Sequence, residues 1–275
     1  MTAAARIASL HVYPVKSCRG IDVTSARLVP TGIEWDRRWM IVDSRDRFIT
    51  QRSHPRLTAI SVAIGTGRLR LATDGQDPLV LDPEHGGPRR SVRIWDDDCT
   101  GIDAGEDASD WLLALLGEPL RLVRIDDAVP RLAERKYVGT EPQPVAFSDG
   151  YPIQLISMAS LAELNRRLPS PVPMNRFRPN IVIEGVPAHA EDAMTEFRAG
   201  TVVLRGVKHC TRCATTTTDQ RSGARDPDQE PLRTLGTYRH DRKLRGVTFG
   251  QNCRIVSGVG ARLTVGDELT IGAPA

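Results

Sequence analysis

The 275-residue chain is long enough to bury a substantial core, as one elaborate domain or two modest ones. Its 40% apolar and 26% charged residues match ordinary globular usage and exclude a chain dominated by disorder, while 5% aromatics point to a core of Val, Leu, Ile and Ala. Lys plus Arg exceed Asp plus Glu by only 37 − 34 = 3, so no nucleic-acid partner is expected.

Met1 to Ala5 show no basic segment followed by an apolar run, so no secretory leader is expected. No apolar run approaches the ~20 residues of a membrane-spanning helix, and no membrane partner is expected. Short β runs at 7–13, 39–42, 60–64, 69–72 and 92–95, broken by Gly, Pro and Asp, predict an antiparallel barrel or sandwich. Residues 109–117 read as a helix with Ser109 as cap and Gly117 as stop, which places a boundary near Leu120 and divides the chain into domains 1–122 and 123–275.

Residues 125–144, rich in Pro and in charges of both signs, predict an irregular surface connection. Apolar spacing over 157–168 predicts a second helix, capped by Ser157 and ended by Pro169. Strands are expected at 181–183, 202–204, 214–218, 247–249 and 263–271, around a short helix from Pro231. Val265-Gly-Asp-Glu-Leu269 reads as a strand pair joined by a Gly turn. The fold class is mixed α+β, predominantly β: a β-barrel-like N-terminal domain followed by a second β-barrel with a few helices.

Five scattered cysteines make a poor disulfide framework and fit a reducing, cytoplasmic setting. Among them, Lys208-His-Cys-Thr-Arg-Cys213 places two thiols three positions apart between cations, and a local positive field favours the thiolate that ligates metals. A structural zinc site needs about four protein ligands, and no second such pair exists. A thioredoxin-type dithiol opens a helix, whereas the following Ala214-Thr-Thr-Thr-Thr218 favours extended chain. Cys210 reads as a small buried hydrophobe. Cys213 reads as one soft thiolate suited to a second-row metal chelated by a sulfur-bearing organic cofactor.

Cations also sit in Tyr13-Pro-Val-Lys-Ser-Cys18, Trp35-Asp-Arg-Arg-Trp39, Asn175-Arg-Phe-Arg-Pro-Asn180 and Thr211-Arg212. Guanidinium forks and a lysine point charge, brought together, would cradle a phosphorylated ligand. Taken singly, each segment reads rather as a solvated surface or an ion pair with a neighbouring Asp. Walker and dinucleotide glycine loops are absent, which argues against a self-contained ATP or NAD site, and Asp96-Asp-Asp98 reads as a solvated turn rather than a cation site.

His11-Val-Tyr-Pro-Val-Lys-Ser-Cys-Arg-Gly20, Asp36-Arg-Arg-Trp39, Asp103-Ala-Gly105, Phe177-Arg-Pro-Asn-Ile-Val-Ile183, Cys210-Thr-Arg-Cys213 and Phe249-Gly-Gln251 occur in order across nearly the whole chain. In these motifs the chain resembles a MOSC-domain protein with an N-terminal MOSC β-barrel domain, in the layout of the mitochondrial amidoxime reducing component.

The resemblance implies a molybdenum–pyranopterin cofactor between the two domains, with Cys213 as metal ligand and catalytic thiolate. It places Lys16, Ser17 and Arg37 from the first part, and Asp149, Gly150, Tyr151, Arg178, Asn180, Thr211, Arg212 and Asn252 from the second, around that cofactor. Gly150, Tyr151 and Asn252 stand where the mitochondrial relatives carry a Thr, a Ser and a Tyr. The implied activity is an oxidoreductase acting on N-hydroxylated compounds such as amidoximes, hydroxylamines or N-hydroxylated bases. With no ferredoxin-like extension after the MOSC part, no iron–sulfur cluster or flavin of its own is expected. Electrons are expected from a separate protein of flavin-reductase, ferredoxin or cytochrome type. The alternatives are a carrier delivering cofactor or sulfur from Cys213, and a binding protein that has lost its metal, against which the retained Cys213 argues.

Overall fold

The computed structural model describes residues 5–272; the reading of residues 1–4 as leaderless lies outside the described residues. Seven strands close a barrel in the order Ile153–Ser157, Ile181–Glu184, Ala5–Val12, Glu268–Gly272, Glu196–Ala199, Val202–Thr211 and Gly246–Ser257, the last pairing back to the first. Closure leaves no free edge among these strands. Inward side chains Ile7, Leu10, Val12, Leu155, Ile183 and Phe197 fill the interior with neighbours from every wall. A register shift between Ile7 and Ser9 explains why the inward residues of the first strand step 7, 10, 12 rather than strictly alternating.

The remaining N-terminal segment forms a half-barrel. A four-stranded antiparallel sheet runs Trp39–Val42, Arg121–Ile125, Asp97–Asp103, Arg89–Ile94, beside a meander of Ser61–Gly65, Arg68–Thr73 and Gln76–Leu81. The helix Glu106–Leu116 packs Trp111, Leu112 and Leu115 onto Trp39, Ile41, Leu57 and Leu71. No described helix is long and apolar enough to cross a membrane.

Several expectations need correction. The run 7–13 reads in sequence as part of the first unit, but Ala5–Val12 pairs with Ile181–Glu184 and Glu268–Gly272 and is therefore a strand of the barrel formed mainly by the second half. The 122/123 division falls inside the strand Arg121–Ile125. The helix Glu106–Leu116 begins about one turn before Ser109, with Gly105 at its N-cap; Ser109 Oγ instead donates to Leu120 O at 2.8 Å, while Gly117 does end the helix in a left-handed conformation. Ser157 caps its helix as expected, accepting from Ser160 N at 3.0 Å.

The Thr run after Cys213 is a 3-10 turn, Ala214–Thr217, not a strand, because its hydroxyls turn back onto the backbone: Thr216 Oγ1 donates to Cys213 O at 3.0 Å and Thr217 Oγ1 to Ala214 O at 2.8 Å. Strands Arg262–Thr264 and Glu268–Gly272 do not pair with each other. The first joins Ser25–Val29 and the second the barrel. Residues 125–144 are largely irregular, with a short helix Arg135–Val138 and a two-residue ladder between Arg131–Leu132 and Pro144–Val145.

Candidate functional site

A cleft of about 780 Å³ lies between the half-barrel and the closed barrel. It is lined by every residue that the resemblance placed around a cofactor: Lys16, Ser17, Arg37, Asp149, Gly150, Tyr151, Arg178, Asn180, Thr211, Arg212, Cys213 and Asn252. The size suits a cofactor or drug-sized ligand.

Two loops hold the N-terminal cations. Lys16 N donates to Trp39 O at 2.8 Å and Arg37 N to Tyr13 O at 2.8 Å, so each loop fixes the other. Lys16 Nζ donates to Phe147 O at 3.0 Å and to Asp149 Oδ1 at 2.5 Å. Burial pushes the Lys16 ammonium below the usual lysine range, against the pull of Asp149. Surrounding protein pushes the Asp149 carboxyl up, but Lys16, the Trp95 indole and Arg37 outweigh it and hold the group well below the usual carboxylate range. Asp149 is thus an anion at neutral pH and holds no proton to give.

Arg37 and Arg178 both lie over the Tyr13 ring, at 4.6 and 4.3 Å, and burial pushes that phenol up to about 12. Asn180, almost fully buried, accepts from Gln154 N at 3.1 Å and Arg37 Nη1 at 3.2 Å, pinning the strand Ile153–Ser157 to the cation bed. Arg178 Nη1 donates to Cys18 O at 2.7 Å, but its Nη2 is buried without a partner, and so is Arg176 Nε. Burial brings the Arg178 pKa down to about 10. A buried guanidinium N–H left unmade is costly unless an acceptor reaches it. Ser17, Arg37, Trp95 and Arg178 all adopt left-handed backbone, with φ of 68°, 48°, 56° and 54°. Such conformations cost of order 1–3 kcal/mol each and gather at ligand sites.

The barrel supplies the thiol side. Register shifts between Gly206 and Lys208 and between His209 and Thr211 bend the end of the strand Val202–Thr211, which lines the cleft through Lys208, Cys210 and Thr211. Arg212 Nε donates to Phe249 O at 2.8 Å and Nη1 to Phe177 O at 2.9 Å, locking the guanidinium between two aromatic segments. With its oxygen turned to Arg212, the Gln154 amide donates to Phe177 O at 3.1 Å. Cys213 follows, exposed in the cleft, with its Sγ 3.4 Å from Thr215 Oγ1. Cys210 is half-buried in the same wall, and burial pushes its thiol up despite Arg212; the cationic flank does not lower this thiol. Among the described residues no group of three or more His, Cys, Asp or Glu gathers to hold a metal, so a metal here would need ligands beyond the protein's own.

The structure adds residues that sequence reasoning missed. Arg52 and Trp95 come from the half-barrel, Arg131 from the irregular connection, Gln154 and Lys208 from the barrel. Lys208 was visible as the start of the Cys-x-x-Cys segment. The others carry no local signal beyond a lone Trp before three Asp. That Asp run is not merely a solvated turn: Asp97 accepts from Arg131 Nε at 2.7 Å at the cleft wall.

The MOSC N-terminal beta barrel domain profile matches residues 4–119 and the MOSC domain profile residues 142–270. Mitochondrial amidoxime-reducing component 1 of Mus musculus is 37% identical over 242 residues, covering 85% of this chain and 71% of that protein. The Homo sapiens component 1 is 36% identical over 261 residues, covering 89% and 77%. Mitochondrial amidoxime reducing component 2 of Rattus norvegicus is 34% identical over 244 residues, covering 85% and 72%. Two matched domains in order and relatives above 30% identity across most of both chains make this protein a member of the MOSC-domain family with an N-terminal MOSC β-barrel domain, the family of the mitochondrial amidoxime-reducing components.

Proposed function

We propose that this protein is a molybdenum-cofactor-dependent oxidoreductase that reduces N-hydroxylated compounds, taking electrons from a separate redox protein in a reducing, cytoplasmic setting. The observation that carries the proposal is the pairing, in one cleft, of an exposed Cys213 thiol with buried guanidiniums that keep an unmet N–H, at Arg178 Nη2 and Arg176 Nε. The donor set fits a phosphorylated, metal-bearing organic cofactor: one soft sulfur for the metal and fixed cations for the phosphate. Gly150 leaves open space on the cleft wall, where an added Cβ would meet nothing within 4 Å.

In this reading Cys213 ligates the metal. Lys16, Arg37, Arg178 and Arg212 hold the anionic part, while Ser17, Thr211 and Asn252 offer neutral hydrogen-bonding groups to the remainder. Asp149, Gly150 and Tyr151 form the facing wall, and Asn180 positions Arg37. The bound cofactor supplies two-electron redox chemistry. The substrate N–O bond breaks with uptake of two electrons and two protons, releasing water and leaving the N–H compound. The protein contributes binding, orientation and a positive field at the acceptor end.

The test is expression in a molybdenum-replete, cofactor-competent host, with metal content and amidoxime reduction measured for wild type and Cys213→Ser using an artificial donor. Molybdenum near one per chain in wild type, lost in the variant together with turnover, is the expected result. Equal metal in both would overturn the ligation, and metal binding with transfer to another protein but no turnover would replace the enzyme by a carrier.

A further inference from the structure

The cleft is lined by two large apolar side chains that the chain leaves partly exposed. Trp95 is 41% and Leu132 50% exposed, and both line the same cleft as Cys213. Trp95 stands between the strands Arg89–Ile94 and Asp97–Asp103, in a left-handed conformation that bulky residues rarely adopt. Phe48 packs against its ring at 5.1 Å, Arg52 lies over it at 4.3 Å, and its Nε1 donates to Asp149 Oδ1 at 3.2 Å. These contacts hold the indole upright without burying it. Leu132 is tied to the same turn from the other side: its neighbour Arg131, itself buried, donates to Asp97 Oδ2 at 2.7 Å and to Ser148 O at 2.7 Å. The Arg131 bridge therefore fixes the two apolar groups relative to each other, one from the half-barrel and one from the irregular connection.

Arg52 and Phe48 cover part of this indole, and the part they leave exposed is a flat apolar surface lining the cleft. Cations and a thiol make up much of the rest of the lining, and Trp95 and Leu132 are the large hydrophobic side chains left exposed in it, so they are the part that fits a neutral hydrocarbon or aromatic body. We infer that Trp95 and Leu132 form the specificity-determining rim of the substrate site, preferring N-hydroxylated compounds with a flat aromatic body over those with a small aliphatic one. This rests on the proposed reductase activity and names the substrate class of the same site.

The test compares benzamidoxime with acetamidoxime, which share the reacting head and differ only in the body. Wild type, Trp95→Ala, Trp95→Phe and Leu132→Ala are loaded with molybdenum in the competent host, and metal content, kcat and KM are measured with an artificial donor. Binding of benzamidine, the unreactive product, is read by calorimetry. Trp95→Ala and Leu132→Ala are expected to lower kcat/KM for benzamidoxime about tenfold relative to acetamidoxime, mainly through KM, the scale of a lost apolar contact. Benzamidine binding weakens in parallel, and Trp95→Phe retains most of the preference. Equal losses for both substrates, or no loss, would overturn the rim. A Trp95→Phe as poor as Trp95→Ala would also overturn it, because the donation to Asp149 rather than the ring face would then matter. Failure of the reductase reading shows separately, as wild type without metal or turnover on either amidoxime.

Discussion

Lys16 Nζ and Asp149 Oδ1, separated by 133 positions in sequence, meet at 2.5 Å and tie the half-barrel loop to the wall of the barrel cleft. The pair is asymmetric. The Lys16 side chain is 7% exposed and Asp149 70%, so the lysine depends on the carboxylate more than the reverse. Asp149→Asn leaves a buried ammonium with a neutral amide and Phe147 O as acceptors but no counter-charge, and is expected to cost about 1–2 kcal/mol, reduced from a fully buried pair by the exposure of residue 149. Lys16→Met leaves only a wetted carboxylate and is expected to cost less. Urea denaturation of both variants checks the order; the reverse order would show that Asp149 does not sustain Lys16.

The Arg178 guanidinium with its unmet N–H predicts an effect on the cofactor-free protein. Inorganic pyrophosphate supplies the missing acceptor and is expected to raise the melting temperature of wild type in a concentration-dependent way. Binding at 100 times Kd corresponds to about 2.7 kcal/mol. Arg178→Met loses most of this shift while remaining folded, since it removes a buried charge that burial already disfavours. A shift of equal size in both proteins would place the anion elsewhere.

How far the sequence reached is clear from particular residues. Local signals were readable: Ser157 caps a helix and Gly117 stops one, because both act within one turn of chain. Cations beside small polar residues were readable as candidates, and the fold brought Lys16, Arg37, Arg176, Arg178 and Arg212 to a single cleft while Arg38 pairs with Asp127 outside its lining. What could not be read was pairing at long range. Ala5–Val12 looks like any half-buried strand, and nothing local says that its neighbours lie at 181–184 and 268–272. Arg131 sits in a Pro-rich stretch of mixed charge, and its role appears only when Asp97 and Ser148 close around it. The Thr run misled because β-branching favours strands while hydroxyl back-bonding favours the turn, and the turn prevailed beside Cys213.

Gly250 lies beside the Phe249 carbonyl that holds Arg212, in a left-handed backbone with φ of 78°, and a Cβ there would stand 2.6 Å from Ile156 Cγ1 and 2.8 Å from Leu155 O. Both the conformation and the space oppose any side chain. Gly250→Ala is expected to destabilise the protein by about 1–3 kcal/mol and to displace the Arg212 anchor. Gly150→Ser, in open space on the cleft wall and without a positive φ, is expected to stay within about 0.5 kcal/mol of wild type. Thermal denaturation of the two variants side by side separates a glycine needed for backbone from one that leaves room for a ligand.

Asp103 offers a pH test away from the cleft. Its side chain, 1% exposed, accepts from Arg121 through both oxygens at 2.9 Å each, from Arg90 Nε at 3.1 Å and from Gly105 N at 2.9 Å, at the start of the helix Glu106–Leu116. Burial alone would raise this carboxyl, but the Arg121 and Gly105 donors, with Arg90, hold it below the ordinary 3.8. Since the folded state binds this proton more weakly than the unfolded chain, the stabilisation is fully present above about pH 3.8 and is lost as pH falls through the lower folded value. Asp103→Asn keeps the shape but offers the two arginines a neutral amide, and is expected to cost about 2–3 kcal/mol at pH 7. The gap between wild type and variant in urea denaturation should narrow steadily below pH 3.8, because acid removes from wild type the charge the substitution has already removed. A gap that stays constant down to pH 2 would mean that Asp103 contributes through its shape and not its charge.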